Sequence, residues 1–172
     1  MKQTTPKIVL TGPESAGKTA LTEALAGALH EPWSPEFARY YVAHLGRPYE
    51  HNDLATIGRG QKLWENWYAG RARKFGLCDT DWTVLHVWET YRFDADRAWR
   101  QGYGPAPSAD LYLLCAPDFP WQPDRLREHP GEQDALFDRY LNLLRGIQAR
   151  FVVLRGEPGA RLETALAAIR EL

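Results

Sequence analysis

Two rhythms of apolar and polar positions run along this chain. Short stretches that are apolar on both faces recur at 7–11, 76–81, 110–115 and 151–156, and each reads as a buried strand. The stretches between them follow the helical period. Over 20–29 it places Leu21, Ala24, Leu25, Ala28 and Leu29 on one face, and over 36–45 it runs until Gly46. Asp53 caps a long helix over 54–75 that carries Ile57, Gln61, Trp64, Trp67 and Tyr68. Helices are further expected at 83–92, 95–101, 133–149 and 161–172. Residues 30–35 are a second strand or an extended turn, kept out of a helix by Pro32 and Pro35. Loops are expected at 47–52, at the glycine- and proline-rich 102–108, and at the proline-broken, charged 116–131. Strands that alternate with helices and are apolar on both faces predict a parallel sheet wrapped by helices, joined by right-handed crossovers. Ligands of such a sheet bind at the carboxyl ends of its strands.

The first strand runs into Gly12-Pro13-Glu14-Ser15-Ala16-Gly17-Lys18-Thr19, which matches G-x-x-x-x-G-K-[ST]. Glycines let the backbone turn so that successive N–H groups face a phosphate. The helix that follows adds its positive end. Residues 12–20 (Gly12, Pro13, Glu14, Ser15, Ala16, Gly17, Lys18, Thr19 and Ala20) are therefore the expected ATP site, with Lys18 on the β- and γ-phosphates and the Thr19 hydroxyl on Mg²⁺. The fold class is accordingly α/β of the P-loop NTPase kind: a doubly wound, mostly parallel five-stranded sheet with helices on both faces, in one domain over 1–172 with a lid loop at about 117–132.

Further candidates fall at the same edge. Asp79 ends an apolar strand where a P-loop protein needs a second carboxylate, for Mg²⁺ or for the nucleophile. Asp81 either lines the site or caps the next helix. Glu36 and Arg39 follow the second strand position, where an acid can reach an acceptor hydroxyl; their spacing also suits an i,i+3 surface ion pair. Arg125 and Arg127 suit a lid that closes over the γ-phosphate, or are solvated loop arginines. Among the tryptophans, Trp33 and Trp121 lie in loops at the active edge and are the stacking candidates, whereas Trp67 and Trp88 read as packing residues.

Composition narrows the class of partner. Net charge is −1 over 172 residues, which favours neither a polyanion nor an anionic membrane, so neither nucleic acid nor a membrane is expected as partner. No apolar run approaches the roughly 20 residues that span a bilayer, and 1–6 lead into the first strand without a signal sequence. Cys78 and Cys115 each sit in an apolar run and read as buried free thiols, which suits the cytoplasm. The five histidines form no H-x-x-x-H pair or cluster with the cysteines that would suggest zinc. No guanine-recognising N-K-x-D motif is present. A homo-oligomer is left open.

The chain resembles the ribosylnicotinamide kinase domain of the NadR type, grouped also as a NadR-like AAA-family ATPase. The resemblance rests on Gly-Pro-Glu-Ser-Ala-Gly-Lys-Thr at 12–19, Pro-Glu-Phe-Ala-Arg at 35–39, and Asp53 with Ile57, Gly60 and Gln61. It continues through Cys-Asp-Thr-Asp at 78–81, Asp-Leu-Tyr-Leu-Leu at 110–114, Pro-Asp-Phe-Pro-Trp at 117–121 and the Arg125/Arg127 loop. It implies ATP-dependent phosphorylation of the 5′-hydroxyl of nicotinamide riboside, giving nicotinamide mononucleotide. It also implies Glu36, Arg39, Gln61 and Asp81 near the acceptor and Asp79 at the metal or the hydroxyl. The chain departs from the family's pattern where Arg125 replaces a usual glycine, where Gln133 stands near a usual arginine, and where Trp33 lies two residues from the family's stacking tryptophan. With no H-x-G-H, the adenylylation step of full-length relatives is expected to be lacking. Two other readings stay open: a kinase for another small nucleoside or metabolite, and a regulatory ATPase.

Overall fold

The computed structural model describes residues 5–94, 107–123 and 130–172. Within them the strands are β1 (Lys7–Thr11), β2 (Trp33–Ser34), β3 (Gly76–Asp79), β4 (Leu111–Cys115) and β5 (Phe151–Leu154). The helices are α1 (Lys18–Leu29), α2 (Phe37–Leu45), α3 (Asp53–Ala69), α4 (Trp82–Arg92), α5 (Gln133–Gly146) and α6 (Pro158–Ile169). The strands form one sheet in the order β2-β3-β1-β4-β5, and all of its pairings are parallel. Register pairs Leu10 with Asp79 on one side of β1 and with Leu113 on the other.

Alternation along β1 explains the two cores. Ile8 and Leu10 face α1 and α6, packing with Leu21, Leu25, Ala165 and Ile169. Val9 points to the opposite face, onto α4 and α5, with Trp82, Val87, Phe137, Tyr140 and Leu144. A third cluster joins α2, α3 and α4 through Ala38, Leu54, Ile57 and Leu85. β1 has β3 on one side and β4 on the other, so the chain reverses its winding there and opens a crevice at the carboxyl ends of the strands.

Several element ends differ from the sequence expectation. Of the second strand or extended turn expected over 30–35, only Trp33–Ser34 is strand. The long helix starts at Asp53 itself and stops at Ala69; beyond it, Glu31 accepts the backbone N–H groups of Arg73 and Lys74 at 2.8 and 2.7 Å, which holds that segment in a non-helical path. α6 begins earlier than expected, with Pro158 in its first turn. The short helix expected over 95–101 and most of the 102–108 turn lie outside the described residues. No helix among the described residues is long and apolar enough to cross a membrane.

Candidate active site

The turn after β1 is built as the motif requires. Gly12 has φ 134°, and a Cβ there would lie 2.6 Å from the carbonyl oxygen of Cys115 on β4. Gly17 ends the loop at φ 76° as the N-cap of α1. Lys18 curls back over the loop, its Nζ donating to the carbonyls of Gly12 and Pro13 at 2.9 and 2.7 Å. Ser15 Oγ accepts the backbone N–H of Gln122 at 3.0 Å, which ties the loop after β4 to the P-loop.

Asp79 ends β3 beside this loop and is buried. Its Oδ2 accepts the Thr19 hydroxyl at 2.6 Å. Burial raises its pKa; the Thr19 hydrogen bond and the charges of Lys18 and Arg39 oppose that rise. Thr80 follows at φ 70°, a left-handed conformation that a β-branched residue rarely adopts. This turn separates the two acids. Asp81 caps α4, accepting the Thr83 N–H at 2.9 Å and hydroxyl at 2.6 Å, while its other oxygen takes Ser108 at 2.7 Å and Tyr112 at 3.0 Å. Of the two readings of Asp81, the cap is the one realised. Its carboxylate is buried in that network and is not among the residues lining the cavity.

A cavity of about 440 Å³ opens on the P-loop. Residues 12–20 line one side, together with Glu23, and Glu36 and Arg39 line it further along. Glu36 is the N-cap residue of α2, and its Oε2 lies 3.1 Å from Arg39 Nε. The pair is thus present, but on a cavity wall instead of the outer surface, with the Glu36 carboxylate buried. Tyr140 borders the same space; burial, followed by the Glu36 and Glu14 carboxylates, raises its phenol well above the usual value. Gln61 does not line the cavity. Its Oε1 accepts the Phe37 N–H at 2.8 Å and its Nε2 donates to Thr80 O at 3.4 Å, which fastens the start of α2 to the end of β3.

The aromatic wall is not the one expected from the sequence. Trp33 packs against the α1/α6 core, and Trp121 is not on the cavity surface although Pro120 and Gln122 beside it are. Tyr49, Trp88 and Tyr91 line the cavity instead, with Val84 and Arg92. The Tyr49 and Trp88 rings lie 5.7 Å apart, and Arg92 Cζ sits 4.2 Å from the centre of the Tyr49 ring. Trp88 is therefore more than packing. Trp67 is not core either: it is half exposed, with Arg71 Cζ 3.5 Å above its ring. Val84, Trp88, Tyr91 and Arg92 form an i, i+4, i+7, i+8 stripe, a signal present in the sequence; which neighbour it faced was not.

Tyr49 is held by the loop it belongs to. Asp53 accepts both Arg47 nitrogens at 2.8 and 3.0 Å, the Tyr41 hydroxyl at 2.8 Å and the Glu50 N–H at 2.7 Å. Asp53 is the first residue of α3 and Asn52 its N-cap, so its carboxylate closes the preceding loop, a correction to the capping role expected of it. The Arg47 hydrogen bonds, against some burial, hold its pKa down at about 2. Arg125 and Arg127, and part of the expected lid, lie outside the described residues.

Sheet order, P-loop and second carboxylate define a P-loop α/β protein. A family profile described as an AAA domain matches residues 7–161, and the chain belongs to that family. No curated protein sequence matches it. Among solved structures, a NadR protein in complex with NAD and AMP-PNP is similar with a TM-score of 0.79 and 21% identity, over 98% of this chain and 49% of that one. A NadR protein in complex with NR is similar at 0.74 and 20%, over 98% and 51%. The thymidylate kinase of Ehrlichia chaffeensis is similar at 0.69 and 13%, over 98% and 100%. The chain thus spans about half the length of the two NadR chains, and it has the fold found in these structures.

Proposed function

We propose that this protein is a nucleoside kinase that transfers the γ-phosphoryl group of ATP to the 5′-hydroxyl of nicotinamide riboside. One observation carries the reading: the P-loop, the Glu36–Arg39 pair and an aromatic wall line a single cavity. A regulatory ATPase needs the first of these and can use a carboxylate–arginine pair on water, so the aromatic wall is the part that favours a nucleoside acceptor. The NadR structures solved with NR and with AMP-PNP support the choice of acceptor and donor. Trp88 offers an aromatic face to a flat ring such as nicotinamide, while Tyr49 and Tyr91 carry the guanidinium groups of Arg92 and Arg139.

In this reading the Gly12–Thr19 loop holds the phosphates through its N–H groups, and Lys18 leaves the carbonyls of Gly12 and Pro13 for the β- and γ-phosphates. Thr19, on the cavity wall, and the buried Asp79 beside it are two hard oxygen donors in contact, which fits Mg²⁺. That ion, when bound, neutralises charge on the transferring group. Glu36 accepts the proton of the 5′-hydroxyl as its oxygen attacks the γ-phosphorus. The bond from that phosphorus to the β,γ-bridging oxygen breaks, and ADP leaves. Arg39 Nε, 3.1 Å from Glu36 Oε2, holds that carboxylate in position. Arg125 and Arg127 are proposed to add charge from a lid over 117–132, within one domain spanning 1–172.

The test is product analysis by chromatography with ATP and nicotinamide riboside, beside uridine, thymidine and adenosine and a reaction without nucleoside. The expected result is nicotinamide mononucleotide and ADP in equal amounts, abolished in Lys18→Ala. ATP consumption indifferent to any nucleoside identifies an ATPase, and turnover confined to another nucleoside reassigns the acceptor.

A further inference from the structure

Arg161, on α6, is buried although nothing in the reaction above uses it. Its guanidinium reaches under the P-loop. NH1 donates to the carbonyl of Ala16 at 2.8 Å, Nε to that of Gly156 at 2.8 Å, and NH2 to Ala116 O at 2.9 Å and Asp118 Oδ2 at 3.0 Å. Cζ also stands 4.3 Å from the centre of the Phe119 ring. That ring lines the cavity and lies against the P-loop, where a Cβ on Gly17 would come within 3.0 Å of it. The loops after β1, β4 and β5 thus meet on one side chain. Burying a guanidinium is costly unless its donors are matched, and a planar five-donor fork is the side chain that can match carbonyls on three loops at once.

We propose that Arg161 is a positioning residue for the phosphate site: it sets the orientation of the Ala16–Gly17 peptide, and so aims the Gly17 N–H at the bound phosphates. The physical link is the planarity of the trans peptide, in which C=O and N–H point in opposite directions. With the Ala16 oxygen drawn toward Arg161, beneath the loop, the Gly17 N–H is turned to the other side, into the concavity that faces the cavity. Without that anchor the Gly17 unit, at φ 76°, has a glycine's freedom to rotate away. Asp118 keeps the guanidinium in place and also accepts the Gly156 N–H at 2.6 Å.

This inference rests on the P-loop being the phosphate site but not on the identity of the acceptor. Inorganic tripolyphosphate is therefore the probe, measured by calorimetry against wild type and Arg161→Lys. Lysine keeps the charge but cannot bond three loops together. Loss of one charge-assisted hydrogen bond predicts roughly tenfold weaker binding of tripolyphosphate, and the same factor for ATP, with the KM for the nucleoside unchanged. A folded Arg161→Lys that binds tripolyphosphate as wild type does overturns the proposal and leaves Arg161 a structural staple. A nucleoside KM raised as much as that of ATP overturns it too, since the whole cavity has then collapsed. A second measurement needs no variant: in ¹⁵N-labelled wild type, tripolyphosphate should shift the Gly17 amide strongly downfield. An unmoved Gly17 amide in a complex that forms overturns the proposal. Wild type that binds no tripolyphosphate removes the phosphate-site reading itself, and the proposal with it.

Discussion

The Thr19 hydroxyl donates to Asp79 Oδ2 at 2.6 Å, although sixty residues separate them. The contact exists because β1 and β3 are parallel neighbours in a register that pairs Leu10 with Asp79. The last residue of β3 is thereby brought level with the P-loop that β1 feeds. Asp79→Asn keeps the shape and removes the charge. The expectation is at least a roughly tenfold rise in the Mg²⁺ concentration giving half-maximal activity, one charge-assisted contact being worth about that factor. Titration of activity with Mg²⁺ at saturating ATP checks this. An unchanged midpoint removes Asp79 from the metal.

Glu36 is buried on the cavity wall and paired with Arg39. If it receives the proton of the acceptor hydroxyl, Glu36→Gln lowers kcat by roughly 10²–10⁴. The KM for ATP should hardly move. Steady-state kinetics with each substrate varied separately distinguishes the outcomes. A loss confined to the ATP KM places Glu36 at the nucleotide, and an intact kcat moves the base to Asp79.

Trp88 supplies an aromatic face to the cavity and also packs against the core. Trp88→Leu retains much of the apolar bulk and removes the ring face. The nucleoside KM should rise roughly three- to tenfold, the worth of one aromatic contact, with the ATP KM unaffected. Equal increases in both constants would show that Trp88 only supports the fold.

Asp53 has a folded pKa of about 2, below its ordinary 3.8. Between those values the unfolded chain binds the extra proton, so stability rises with pH across the interval. The Asp53 contribution is complete above the ordinary value and is lost as pH falls through about 2. Arg47 is half exposed and its attraction is screened by solvent, so Asp53→Asn should cost about 1–2 kcal/mol at neutral pH and almost nothing near pH 2. Urea denaturation across that range measures it. A cost independent of pH would show that the hydrogen bonds matter and the charge does not.

Gly60 sits on α3 against the Phe37 ring, in the space a Cβ would occupy. Helix propensity favours Gly60→Ala by about 1 kcal/mol, while overpacking costs about 1–3 kcal/mol. A ring wedged between helices gives way less readily than a flexible chain, so a net loss of stability is expected. Because Phe37 follows Glu36, kcat should fall as well. A stabilised, fully active Gly60→Ala would mean that α2 adjusts freely.

Much of the fold was legible in the local pattern. Continuous apolar runs mark strands buried on both faces, and the helical period marks what covers them; both are properties of neighbours in the chain. The P-loop was legible for the same reason. Its glycines, lysine and threonine lie within eight residues, and the positive φ of Gly12 and Gly17 turns the loop locally. Packing in three dimensions settled the rest. Asp79 and Asp81 look alike as a pair, yet the positive φ of Thr80 sends one to Thr19 and the other into the cap of α4. Trp33 and Trp88 are equally apolar in sequence, but β2 turns the first into the α1/α6 core while α4 carries the second to the cavity. In sequence Arg161 is one charge near a helix start; its role follows from the three loops that close around it. Local sequence specifies helices and turns because their hydrogen bonds are short-range, and it marks strands by their apolar runs. Which side chains meet depends on sheet order and register, which are set by burial summed over the whole chain.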